Sequence, residues 1–377
     1  MGSEKLAAGV LLVALLLVPR ANAQTVQPSD AAALEKQGKL EEAAKAWTAV
    51  TRQNPNDAAA FASLGLVLSK EQKYAEATAA YRKAIDLKPD LPGVRLNLGL
   101  AEFKQGHFEA AIPPLRATLA TDPHNIQATT LLGLSYYGFR RFAEAVQYLA
   151  VAAASDTSNT QLHQTLAQSC LLAKKYSCAL QEFEKLQQLN PDSWAVHMFT
   201  GVALDGEGKT EEAITEFQTA LRLAPREPNL NFALGFLYWK AEKYDEAVAA
   251  LNAELAIVPG NAQALAYLGD IAMQKGEYDK ALPLLRQATQ LQGDNRLAYL
   301  DIGKILVEQK QYPEALSALH EAVKLDPTQS DAHFRIGRIY QLMGDNAAAA
   351  KEFAKVRELK QKEDQDLASK MARNPTP

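Results

Sequence analysis

The chain is poor in the residues that chemistry and membranes need. Its 377 residues include two cysteines and six histidines. The histidines (His107, His124, His163, His197, His320 and His333) form no HxxxH or HExxH pair that would set two ligands on one helix face. No metal site is therefore expected, from His163 and His197 or elsewhere. No serine or cysteine nucleophile has a base at a recognisable spacing. Gly206-Glu207-Gly208-Lys209-Thr210 looks like the end of a phosphate-binding loop, but Ala203 stands where the motif requires its first glycine. No cofactor and no enzymatic activity are expected. A net charge of −4 gives no basic patch and argues against a nucleic-acid partner. Linkers and low-complexity segments are missing too, so the chain reads as one elongated array.

Long apolar runs are also scarce. Leu6 to Val18 is an apolar run of 13 residues, short of the roughly 20 needed to span a bilayer. Lys5 precedes it, and Pro19-Arg20 and the A-x-A site Ala21-Asn22-Ala23 follow. That order predicts a signal peptide over residues 1–23, cut after Ala23. The residue directly after the cut is Gln24 and not cysteine, which argues against a lipoprotein. The expectation is a periplasmic or secreted protein with no stable membrane insertion once the signal is cleaved.

What the chain does have is a period. In Ala58 to Leu91, one apolar helical stretch carries Leu64, Gly65 and Leu68, and a second carries Ala77, Tyr81 and Ala84 and stops before Pro89. Steps of 34 residues from Ala77 reach Ala43, Ala111, Ala145, Ala179, Ala213, Ala247, Ala281, Ala315 and Ala349 without a slip. The same steps from Gly65 reach Gly99, Gly133, Gly201, Gly235, Gly269, Gly303 and Gly337, with Ala31 and Ala167 as small substitutes. Tyr74, Phe108, Phe142, Tyr176, Tyr244, Tyr278 and Tyr312 keep a ring at the start of the second stretch. Glycine and alanine fall where two helices of a hairpin would cross. Proline closes the second helix because the residue before it is pushed out of the α region.

This pattern resembles the tetratricopeptide repeat (TPR) family. The resemblance implies an all-α, right-handed superhelical solenoid of ten helix-turn-helix repeats. They would occupy 24–57, 58–91, 92–125, 126–159, 160–193, 194–227, 228–261, 262–295, 296–329 and 330–363, with a capping helix end and frayed tail at 364–377. In the first repeat, Pro28-Ser29-Asp30 is expected to precede a short helix starting at Ala31. Pro113-Pro114 and Pro283 fall inside second helices, where a local kink is expected. Cys170 and Cys178 flank the turn of the fifth repeat. They make either a disulfide, worth about 2–3 kcal/mol for so short a loop, or two small buried thiols.

The surplus apolar residues lie on first helices at i, i+4, i+7: Leu96/Leu100/Phe103, Thr130/Leu134/Tyr137 and Phe232/Phe236/Trp239, with Met198, Phe199 and Val202 between them. First helices line the concave face in TPR proteins, so the resemblance places this stripe in a groove. The alternative is packing between neighbouring first helices. Further along, the slots turn polar at Asp270, Asp301, Lys304, Asp331, Arg335 and Arg338. These form either a patch that reads a carboxylate or a solvated, internally paired face. The Lys/Asn arrangement of the chaperone-tail clamp is missing. The slot shared by His163, His197 and His333 is expected to hold partly buried packing residues. The candidate partner groove is Leu100, Phe103, Leu134, Tyr137, Met198, Phe199, Phe232, Phe236, Trp239, Lys304, Arg335 and Arg338. The expected function is a non-catalytic scaffold or adaptor that binds a peptide or protein segment. The rivals are a glycan or cell-wall binding module using Tyr137, Phe236 and Trp239, and an accessory subunit of an envelope enzyme complex.

Overall fold

The computed structural model describes residues 26–373. The signal segment, the expected cut after Ala23 and the tail Asn374–Pro377 lie outside the described residues. Among those described there are twenty α-helices and no strand. They group into two compact units that divide between Asp156 and Thr157, where the sequence suggested one uninterrupted array.

The first unit holds four hairpins: α1 (Pro28–Lys36) with α2 (Leu40–Gln53), α3 (Ala58–Lys70) with α4 (Tyr74–Leu87), α5 (Val94–Lys104) with α6 (Phe108–Thr121), and α7 (Ile126–Gly138) with α8 (Phe142–Ser155). The second unit begins with α9 (Thr160–Leu172) and α10 (Tyr176–Leu189), then α11 (Trp194–Gly206) and α12 (Thr210–Leu223), then α13 (Leu230–Lys240) and α14 (Tyr244–Ile257). It continues with α15 (Ala262–Gln274) and α16 (Tyr278–Leu291), and with α17 (Arg296–Glu308) and α18 (Tyr312–Leu325). It ends with α19 (Ser330–Leu342) and the long α20 (Asn346–Arg373). Within each unit the architecture is an all-α superhelical repeat.

Eight of the ten hairpins are closed by the same contact. A Cβ added at Gly65, Gly99, Gly133, Gly201, Gly235, Gly269, Gly303 or Gly337 would lie 2.5–2.9 Å from the side chain sixteen residues later. Those side chains are Tyr81, Leu115, Leu149, Phe217, Leu251, Leu285, Leu319 and Phe353. Glycine lowers helix propensity by about 1 kcal/mol against alanine, and close packing of a large side chain on bare backbone offsets that. The rings that start the second helices reach into the next hairpin. Phe108 packs where Gly138 leaves room, and Tyr176 does the same at Gly206.

The turns are equally uniform. Gly38, Gln72, Gly106, Arg140, Lys174, Gly208, Glu242, Gly276, Lys310 and Gly344 all have φ between 57° and 83°. Each closes its first helix by a Schellman pattern, as where Gln72 N donates to Ser69 O and Lys73 N to Leu68 O. Half of these left-handed positions are not glycine, so no periodic glycine marks the turn. Side chains of Asp57, Asn125, Asn159, Ser193, Asn261 and Asn295 cap first helices by accepting backbone N–H bonds.

One expectation is corrected. The first helix begins at Pro28, not Ala31, with Gln27 and Asp30 forming a capping box. Proline at the first helical position loses no hydrogen bond, because that N–H would be unpaired in any case. α6 continues through Pro113 and Pro114, and α16 through Pro283. Cys170 and Cys178 are joined in a disulfide across the α9–α10 turn, with Cα atoms 5.8 Å apart.

Gly133→Leu should destabilise the chain by about 1–3 kcal/mol through overpacking against Leu149, and chemical denaturation reads this directly. An unchanged midpoint would break the crossing argument. Gln72→Gly should act the other way. It relieves a left-handed β-carbon at the cost of unfolded-chain entropy, for a net gain of about 0.5 kcal/mol in the same assay.

Candidate functional site

The surface stripe is divided between the first helices of the two units, and α13 carries its largest side chains. This helix starts differently from its neighbours. Pro228 and Asn229 form a tight turn with Asn229 at φ 69°, and Asn229 makes no side-chain cap. Gly93, four repeats earlier, takes the same conformation before α5. At α13 the cap comes from the fully buried Glu254 of α14. Its carboxylate accepts from Asn229 N at 3.0 Å and Phe232 N at 3.3 Å, and also from Asn261 Nδ2 at 3.3 Å. A carboxylate at a helix N-terminus also complements the helix dipole.

From that fixed start, Phe232, Phe236 and Trp239 project along one face and meet Tyr267 of α15. Ring centroids are 6.1 Å apart for Phe232–Tyr267, 5.5 Å for Phe236–Tyr267 and 4.9 Å for Trp239–Tyr267. Phe236 and Trp239 stack at 5.9 Å with planes 23° apart. The rings fill the space between one another, so they make a platform and not an open cage. All four are half-buried.

Beneath the platform lies a buried polar group. Trp239 Nε1 donates to Asp270 Oδ2 at 2.6 Å. Asp270 is 2% exposed and Asp301 of α17 is 0% exposed, which corrects the expectation that these positions belong to a solvated face. Asp270 and Asp301 stand, one repeat on, in the slots where Phe236 meets Tyr267. Lys304 Nζ donates to Asp301 Oδ1 at 2.5 Å. Burial pushes the Asp301 carboxyl up to about 7; the Asp270 charge adds to this, and Lys304 opposes it. Burial also raises the Tyr267 hydroxyl, with a further contribution from Asp270.

The remaining predicted residues divide. Leu100, Phe103, Leu134 and Tyr137 belong to the first unit, where Phe103 packs edge-on against Phe108 and Tyr137 against Phe142. Phe199 stacks on the buried Phe183 of α10 at 6.0 Å, so it works in packing between α10 and α11. Met198 packs against the core around Leu230 and Leu234, while Val202 is 41% exposed. Arg335 is half-buried and Arg338 exposed, beside Phe334 at 49% exposure. The slot of His163, His197 and His333 is paired with glutamate: each Nδ1 lies 2.5–2.7 Å from a carboxylate oxygen of Glu182, Glu216 or Glu352, nineteen residues on. Among the described residues no group of His, Cys, Asp and Glu is arranged to hold a metal.

Family models described as "Tetratricopeptide repeat" match residues 96–160, 232–295 and 330–363. One described as "TPR repeat" matches 69–106, 207–242 and 303–344. The chain belongs to the tetratricopeptide repeat family. No curated protein matches the sequence. Among solved structures, this TPR chain is similar to one in the APC/C hetero-tetramer Cut9–Hcn1, with a TM-score of 0.51, 15% identity, 88% of this chain covered and 80% of the other. It is also similar to yeast Tom70, with a TM-score of 0.43, 15% identity and coverage of 88% and 91%. A third similar structure is YrrB, "a TPR protein with an unusual peptide-binding site", with a TM-score of 0.39, 22% identity and coverage of 50% and 97%. At these identities the likeness concerns the fold.

Two features of the TPR site were not legible in the sequence, the Glu254 cap and the Trp239–Asp270 bond, because each joins residues on different helices. The cap has a measurable role. Glu254→Ala leaves two backbone donors unpaired beside the core and should cost about 2–4 kcal/mol, read by urea denaturation, while Glu254→Gln should cost less. Equal stability of all three proteins would remove Glu254 from the support of α13.

Proposed function

We propose that the protein is a non-catalytic scaffold that captures a segment of a protein partner on the first-helix face of its second unit. The observation that supports this most is the Phe236–Trp239–Tyr267 platform. It is held from below by the Asp270 bond and from the side by the capped start of α13, yet it keeps part of each ring in water. Large, rigid, partly exposed aromatic surfaces dominate binding energy where they become fully covered. Val202 extends the apolar surface on α11. Phe334, Arg335 and Arg338 on α19 offer apolar and cationic contacts further along the same unit. The segment that suits this order has aliphatic or aromatic residues followed by acidic ones.

The proposal places this work outside the cytoplasm. The residue pattern from Lys5 to Ala23 supports export, and a Cys170–Cys178 disulfide persists best in an oxidising compartment. No helix among the described residues is long and apolar enough to cross a membrane.

The near-parallel Phe236–Trp239 pair also suits stacking of a sugar ring, which keeps the glycan reading as the second candidate. Tyr137, however, belongs to the other unit. Selection from a displayed peptide library separates the two. Wild type should enrich a shared apolar-then-acidic motif, and Phe236→Ala with Trp239→Ala should lose at least tenfold in affinity while helix content stays near wild type. Failure to enrich any motif, with binding to soluble oligosaccharides instead, would favour the glycan reading.

A further inference from the structure

The polar group under the platform has an unbalanced oxygen. Asp270 Oδ2 accepts from Trp239 Nε1, and Gln274 Nε2 lies 3.5 Å from the same atom. Asp301 Oδ1 accepts from Lys304 Nζ. Asp301 Oδ2 is buried, and no side-chain or backbone donor reaches it. Asp270 and Asp301 occupy, one repeat on, the slots of the Phe236–Tyr267 contact, and the Asp270 carboxyl acts on that of Asp301. Two ionised carboxylates so placed would repel each other, with one lysine to compensate both. A proton on Asp301 Oδ2, donated to Asp270, satisfies the orphan oxygen and leaves the Asp270–Asp301–Lys304 group electrically neutral.

We propose that Asp270 and Asp301 share one proton, and that its loss on alkalinisation loosens the hold of Asp270 on Trp239, making the aromatic platform pH-sensitive. The groups around the pair come from the helices packed on it; α14, also packed on α15, buries the charge of Glu254, which is engaged at the start of α13. α13 brings only the Trp239 N–H. α15 brings Asp270 and Tyr267, and α17 brings Asp301 and Lys304. By the 34-residue register, α19 sets Arg335 against the Lys304 slot, as Tyr267 meets Phe236 and Asp301 meets Asp270. The second helices α16 and α18 bury Ala281, Leu285 and Ala288, and Ala315, Ala318, Leu319 and Ala322, all apolar. Lys304 and Arg335 are thus the cations on the side of the pair, and Lys304 is bonded to Asp301 Oδ1. The elevated Asp301 carboxyl, at about 7, agrees with this geometry.

The direction of the effect follows from linkage. Asp301 holds its proton in the folded chain up to about pH 7, whereas an unfolded aspartate releases it near 3.9. The stabilisation is therefore complete below about pH 3.9 and is lost progressively as pH rises from there through about 7, opposite to ordinary acid denaturation.

The test uses the full-length protein without a ligand, so its failure is distinct from failure of the binding reading. Thermal midpoints of wild type, Asp301→Asn and Asp270→Asn are compared from pH 5 to 8. Either amide supplies an N–H in place of the shared proton. The wild-type midpoint should fall by about 5–10 °C more than either variant's over this range, and both variants should exceed wild type at pH 8. In wild type, the infrared band of a protonated carboxyl should be present at pH 6 and gone by pH 9, and Asp301→Asn should lack it. The Trp239 indole N–H resonance should shift with the same midpoint. Parallel slopes in all three proteins, or no protonated carboxyl at pH 6, would overturn the shared proton. An indole signal that stays fixed while the carboxyl titrates would overturn its coupling to the platform.

Discussion

The structure depends on one contact made in nearly every hairpin: a large side chain lying on the bare backbone of a glycine sixteen residues before it. A paired-helix unit of this size cannot bury its own apolar face, so it persists only against its neighbours. Close crossing at Gly65, Gly133 or Gly269 fixes the geometry of each hairpin. That in turn sets which residues of the first helix face the next first helix and which face outward. The left-handed turn residues and the asparagine caps are consequences at the two ends of that hairpin. The position of every functional candidate follows from the same register.

This explains why the scaffold was legible and the site only partly so. Local chemistry repeats, and repetition is visible without a structure: Ala77 and its nine equivalents, Gly65 and its seven, and the rings that open second helices. Helix starts such as Tyr74, Phe108 and Phe142 fall where that pattern puts them. Features that break the pattern once were harder to read. Pro28 marks a helix start and not a barrier, because a first-position proline gives up no bond. Gln72 and Arg140 adopt a glycine's conformation because the turn imposes it. Glu254 caps a helix that begins twenty-four residues before it, a relation that no local motif records.

The histidine slot lies between these cases. His163, His197 and His333 each have glutamate nineteen residues later, and the structure pairs every one of them. Where the slot holds another residue, as at Arg95, Thr129 or Tyr299, the position nineteen residues on is Pro114, Tyr148 or Ala318. The two positions vary together within a single chain. That covariation was present in the sequence, and only the geometry of the hairpin shows why nineteen is the spacing that matters.

The same logic applies to the face that carries the proposed function. Phe236 and Tyr267 make an aromatic contact between neighbouring first helices. Moved on by one repeat, the same two slots hold Asp270 and Asp301, and moved on again they hold Lys304 and Arg335. The backbone carries an apolar pair, an acid pair and a basic pair in succession without changing its crossing. An averaged repeat therefore describes the scaffold and carries no information about the ligand, because slots that vary freely leave the fold intact. What distinguishes this protein from others built on the same hairpin lies in the order of those substitutions. Here that order sets a half-buried tryptophan on an acid whose own partner is an acid. A carboxyl pair is a poor choice for stability alone, since the Phe236–Tyr267 contact shows that the same slots can be filled with apolar rings. Its presence directly under Trp239 is the strongest structural reason to look for function on that face.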